Sequence, residues 1–541
     1  MKKNYYMVAI LAVILVIAAC QKEDDISPHN IKNEPLADNA IKLGKKLENP
    51  YTVENMQKAY DNLKKDNKLK SSFQIQTTDL YVRFLPKDST ELNTLEADSL
   101  FLFDYPLDYE IEQVEYLGEE LELKPKEENW YYTSVPVNYE FPDIQYEILA
   151  NLFLPPEDDQ ESETKAISLW HDLEDEALKI TGNYEVPEPD EISDSHVKRS
   201  HKHRPQGYVR VMDTYKDKYV GVEKVRVRTR RWFKYGRDYT DSNGYYSVNR
   251  RYRRSVHYCV FFKNQIGFKI RARAMSIWKA KHHVGKHNRR GYDINIGTGS
   301  RAWRFATLNN AVAKYWSLCD RFGIQKPHSN LRLVAKNASK GNSATPMLKH
   351  VWGAYGFRPK SGIASLFYKF GFIGVSYLAN TFFRLCLPDI VVTSHSDKGT
   401  DKVYLTAFHE LAHASHFKKV GSRYWIKYIN YIITYGKKSN PYGSGTGKNA
   451  GYCGVGEMWA NFCSEYFYRY NYKKSKSPEW KPDKDFYDPG FLMDAVNEIP
   501  DLSIQEVSYC LTGSVTSIPK LRDRLKIYTS DDAKIDKLYN K

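Results

Sequence analysis

Tyr404-Leu405-Thr406-Ala407-Phe408-His409-Glu410-Leu411-Ala412-His413 is the stretch on which the reading of this 541-residue chain turns. Tyr404, Leu405, Phe408, Leu411 and Ala412 give a helix one apolar side that can bury. His409 and His413 stand four residues apart. Four residues turn a helix by about 400°, so both imidazoles project from nearly one face and can share a metal ion. Zinc suits such a site, because it accepts neutral imidazole and imposes no ligand-field geometry. Glu410 lies about 100° around the helix from His409, off the ligand face. From there it can take a proton from a water beside the ion, as a general base does.

A hydrolytic zinc site needs a third protein ligand, and three residues compete for the place. His416 follows His413 on the same side, but one straight helix does not easily aim three side chains at one ion. The other two lie downstream, where residues 455–470 read as a second helix. Val455, Met458, Trp459, Phe462, Tyr466 and Tyr470 form its apolar face, with Glu457, Asn461 and Glu465 opposite. Glu457 is favoured over Glu465. It stands near the glycine-rich start of its helix, and Asn461, one turn on, is placed to support it. A glutamate-bearing helix downstream of H-E-x-x-H resembles the gluzincin group of zinc metallopeptidases. That resemblance implies zinc held by His409, His413 and Glu457, catalysis by Glu410, and a protein or peptide substrate. The chain departs from the thermolysin pattern, with Gly456 where Asn precedes the glutamate. It also lacks the metzincin continuation, having His416 in place of Gly and Lys419 in place of the last His. Between the two helices, 440–448 reads as a mobile loop at the rim of the site, and Tyr442 or Tyr452 could stabilise an oxyanion.

The N-terminus bears on location. Lys2 and Lys3 precede an apolar run, Met7 to Ala19, that is short for a membrane span. It ends in Ile17-Ala18-Ala19-Cys20, which resembles the bacterial lipobox. The resemblance implies a signal peptide at 1–20, cleavage before Cys20, and membrane attachment through its lipidated thiol. The acidic run after Gln21 is similar to a signal for outer-membrane lipoproteins that face the cell exterior. Residues 21–50 read as a tether.

The remaining organisation is α+β and multidomain. An α+β domain of unassigned role is expected at 51–180, with a helix from Val53 to Leu69 and strands near 80–84 and 99–103. A Pro-, acid- and His-rich linker follows at 181–204. At 205–275, Val209, Val211, Val225 and Val227 alternate with arginines, and Asp241-Ser242-Asn243-Gly244 supplies a turn. The pattern resembles the carboxypeptidase-regulatory-like, transthyretin-like β-sandwich and implies seven strands without catalytic residues. A mostly helical, zincin-like catalytic domain is expected at 276–541.

The net charge is +14, and the excess is local: the first ~195 residues are acidic, and 196–254 are dense in Arg and Lys. The alternation predicts arginines in solvent on the β-module, either as a plain solvated basic face or as a face for anionic glycan, lipopolysaccharide or nucleic acid, with no specific nucleic-acid partner expected. His282, His283 and His287 read as a solvated cluster on a loop. The six cysteines beyond Cys20 form no CxxC pair and are expected buried and free. Two rival functions remain at this point: a surface-binding lipoprotein without activity, and a zinc hydrolase of a non-peptide bond. The intact Glu410 argues against the first.

Overall fold

The computed structural model describes residues 41–66, 73–87, 89–98, 100–113, 130–155, 165–186, 202–271, 279–337, 343–355, 388–436, 440–482 and 486–541. Cys20, the leader expected at 1–20, most of the tether and Cys386 lie outside the described residues. No described helix is long and apolar enough to cross a membrane. The architecture is α+β, with several small sheets and a helical C-terminal region.

In the N-terminal region an antiparallel sheet runs in the order Tyr131–Pro136, Asp79–Leu85, Gln145–Leu152. Helices Val53–Lys65 and Lys165–Ile180 pack beside it. Thr52 caps the first helix by accepting from Asn55 N–H. Of the strand expected near 99–103, the described residues 100–103 make one isolated bridge, Phe103 to Tyr132, and no ladder. Their alternation serves two cores instead: Phe101 and Phe103 face one, Leu100 and Leu102 the other.

Two sheets form the β-module. One joins Gln206–Asp213 to Lys218–Gly221, Tyr245–Ser247 and Ile294–Ile296. The other runs in the order Lys281–His287, Val256–Phe261, Arg226–Arg231, Lys234–Tyr239. Among the described residues eight strands take part where seven were expected, and two of them, Lys281–His287 and Ile294–Ile296, lie beyond the boundary expected at 275. In addition, Lys269–Arg271 leaves this module and pairs in parallel with Arg332–Lys336, which pairs in turn with Ile390–Thr393. Val209, Val227 and Val260 from the module and Trp303, Phe408 and Trp459 from the helices belong to one continuous core.

The arginines of Arg226–Arg231 are not in solvent, whereas Arg210 keeps a partly exposed side chain paired with Asp293. Every residue of Arg226–Arg231 is buried, because the strand's second face meets the N-terminal domain. There Arg228 and Arg230 donate to the main-chain carbonyls of Leu102 (2.8 Å) and Leu107 (3.1 Å). Both guanidinium groups also lie over the ring of Phe103, at 4.8 and 5.6 Å. Ion pairs surround them: Asp104 with Lys281 at 2.5 Å, Glu174 with Lys234 at 2.7 Å, and Asp175 with Arg254 at 2.7 Å. Glu96 meets Lys279, Lys263 and Lys269. The acidic and basic stretches of the sequence are thus the two sides of one interface. The Arg226–Arg231 part of the basic module is covered by this chain's own residues.

The histidine cluster is also corrected. His282, His283 and His287 lie on a strand, not a loop, and burial lowers the His282 pKa to about 4. Cys259, Cys319, Cys453, Cys463 and Cys510 are buried and free.

Candidate metal centre

The motif lies on the helix Thr400–Tyr435, which is not straight. Gly421 has φ 78° and ψ 175°, outside helical space and readily adopted only by glycine. A straight helix would hold residues 413 and 428 about 22 Å apart along its axis. Instead the rings of His413 and Tyr428 are 5.6 Å apart, so the chain turns back at Gly421 and lays Trp425 and Tyr428 beside the motif. Facing them is the helix Ala450–Tyr472, which starts five residues before the 455 expected from sequence. Glu457 therefore stands well inside this helix. A Cβ at position 456 would meet the Tyr428 ring at 3.0 Å, so Gly456 lets the two helices close.

This packing brings His409, His413 and Glu457 together. The Nε2 atoms of the two histidines are 3.2 Å apart. Glu457 Oε1 is 3.4 Å from His413 Nε2, and Oε2 is 3.6 Å from His409 Nε2. Donor atoms bound at 2.0–2.1 Å to a tetrahedral ion stand roughly 3.3 Å from one another, so these separations fit one small divalent cation. Glu457 Oε2 is buried without a hydrogen-bond partner, as an oxygen meant for a metal would be. Burial opposes ionisation of Glu457, yet His413 and His409 outweigh it and hold its carboxyl well below the ordinary range.

Glu410 is buried beside this cluster. Thr345 donates to its Oε2 at 2.7 Å and lies 2.8 Å from its main-chain carbonyl. Burial raises the Glu410 carboxyl to about 7, with the Glu457 charge adding, against the lowering influence of His409 and Thr345. Thr345 follows Ala344, which bridges to Val391 at the edge of the three-stranded sheet. The sheet thereby sets the position of the motif glutamate.

The competing ligands point elsewhere. His416 is buried, with its ring against Tyr424 (5.2 Å) and Trp425 (6.1 Å), and burial lowers its pKa to about 3. Glu465 accepts from Arg469 Nε (2.7 Å) and Ser477 N–H (2.9 Å), which anchors the end of its helix. Asn461 does not support the Glu457 carboxylate; it donates to the main-chain carbonyl of Glu457 (2.8 Å). Tyr428 takes the supporting place, its hydroxyl 2.5 Å from Glu457 Oε1. Neither Tyr428 nor Thr345 is visible from motif spacing. In the loop at 440–448, Gly445 N–H donates to the Tyr431 hydroxyl (2.9 Å), while Pro441, Ser444 and Thr446 to Lys448 are exposed. Tyr442 in that loop feels the charges of Glu457 and Glu410, which with burial raise its pKa. Tyr452 instead accepts from Lys427 (2.9 Å) and packs on Tyr424.

Comparison with known proteins adds no name to this geometry: no protein-family model matches the chain, and no curated protein is similar to it.

Proposed function

We propose that the chain is a zinc-dependent peptidase of gluzincin-like type, with His409, His413 and Glu457 as ligands and Glu410 as general base. The observation that carries this reading is the convergence of three buried or half-buried donor groups at metal-ligand spacing beside a carboxylate that is not one of them. Bound zinc would supply Lewis acidity to a substrate carbonyl and acidify a neighbouring water. Glu410 takes the proton from that water and returns it to the departing amine. Thr345 fixes one carboxylate oxygen and leaves the other for the transfer. Tyr428 orients Glu457.

The N-terminal residues fit an outer-membrane lipoprotein facing outward, anchored through Cys20. The β-module fits the carboxypeptidase-regulatory-like class in its two packed sheets and its valine core. Metal quantification and incubation with a blocked-peptide library test the central reading. The expected result is about one zinc per chain and peptide cleavage that stops with chelator and returns with zinc. Zinc without cleavage of any peptide would overturn it. Lipid labelling that survives Cys20→Ser would overturn the anchor.

A further inference from the structure

Lys398 stands beside the same site, on the turn that leads from the strand Ile390–Thr393 into the motif helix. Its ammonium donates to Thr393 Oγ1 at 2.8 Å and Thr406 Oγ1 at 2.7 Å. Thr406 precedes Glu410 by four residues, so their side chains share a helix face. Thr393 in turn is tied to Ser343, which accepts from its N–H at 3.0 Å. Two residues on, Thr345 holds Glu410. Lys398 is therefore fixed to the same strand segment and the same helix face that position the base.

The partners of this ammonium are incomplete. It carries three donors, and two go to neutral hydroxyls. Among the described residues no carboxylate pairs with it. The charges of Glu479 and Glu410 act on it only at longer range, against a burial that lowers its pKa. A half-buried cation with neutral acceptors and a donor to spare is free to take an anion. Lys398 is near enough to the base for the Glu410 charge to act on it, so an anion it receives would lie beside the site.

The geometry points to Lys398 as a specificity-determining residue that receives a carboxylate of the peptide substrate close to the scissile bond, an assignment that rests on the peptidase reading. The carboxylate belongs either to an acidic side chain or to the peptide C-terminus. Both offer the same charge-assisted hydrogen bond.

The test uses the zinc-loaded full chain and matched blocked peptides. One set pairs Glu with Gln at each position flanking a cleaved bond, and a second pairs free-acid with amidated C-termini. Wild type is expected to favour the carboxylate member of one set by about tenfold or more in kcat/KM. The set that responds distinguishes side chain from terminus. Lys398→Gln should bring that ratio close to one, Lys398→Arg should keep a preference, and Lys398→Glu should turn it toward peptides carrying Lys. Thermal melting of each variant shows that the fold is retained. A wild-type ratio near one, or a ratio unchanged in folded Lys398→Gln, overturns the assignment and leaves the peptidase reading standing. No cleavage of any peptide by zinc-loaded wild type overturns both.

Discussion

Two of the places where the described residues bury charge treat it differently. Between the N-terminal domain and the β-module, buried cations meet carboxylates, main-chain carbonyls or aromatic rings: Arg254 has Asp175, Lys281 has Asp104, and Arg228 has Leu102 and Phe103. At the motif, His409, His413 and Glu457 face one another, and Glu457 Oε2 and His413 Nδ1 have no hydrogen-bond partner. Buried charge is costly unless compensated. At the interface the chain's own groups meet most of the charge, although the Nε atoms of Arg228 and Arg230 also lack partners; at the motif three ligand-type groups face one another at a spacing that one metal ion could fill.

Substitutions can break this contrast. Glu410→Gln should lower turnover by about 10²–10⁴-fold, the range for loss of a general base, while zinc stays bound; retained turnover removes Glu410 from its role. Glu457→Ala should weaken zinc by over about 100-fold, beyond the range for an outer-shell group, whereas Glu465→Ala should keep its zinc. Equal zinc loss in both, measured by metal competition, would erase the distinction between the two glutamates. At the interface, Asp175→Ala removes the carboxylate that Arg253 and Arg254 share and should cost about 3 kcal/mol in chemical denaturation. It should leave zinc affinity alone.

Acid should act on the interface in a defined window. Burial alone would raise the Glu96 carboxyl, but Lys279, Lys269 and Lys263 hold it down to about 2, against an ordinary 4.5. A carboxyl depressed in the folded state stabilises above its unfolded pKa, and that stabilisation is lost as pH falls from about 4.5 toward 2. The loss should be about 2 kcal/mol once partial exposure is allowed for. Denaturation of Glu96→Gln across that window should show a shallower acid slope than wild type. The smallest effect sharpens the metal side: Tyr428→Phe removes the hydrogen bond to Glu457 and should weaken zinc about tenfold, with the fold intact by melting. Unchanged affinity would reduce Tyr428 to packing.

The site was legible in sequence wherever one helix decides it. The spacing of His409 and His413 fixes a shared face, and the helical pattern after Gly454 presents Glu457. Thr345 and Tyr428 were not legible, because a bridge at a sheet edge places one and the reversal at Gly421 places the other. The arginines of the β-module misled for a related reason. A period of two separates the faces of a strand but does not say which face meets water, and here neither does. The acidic first third and the basic stretch after it carried the missing information, since they are complementary parts of one molecule.

Lys269–Arg271 falls in the chain between Val256–Phe261 and Lys281–His287, yet it serves the sheet beside the motif. The two regions are consequently interleaved, and no single cut separates them. An expression fragment ending at 275 would lack two strands of the β-module, and one beginning at 276 would lack the edge strand of the sheet beside the motif. Heat should melt both regions in a single calorimetric transition, so dissecting this protein calls for point substitutions and not truncation.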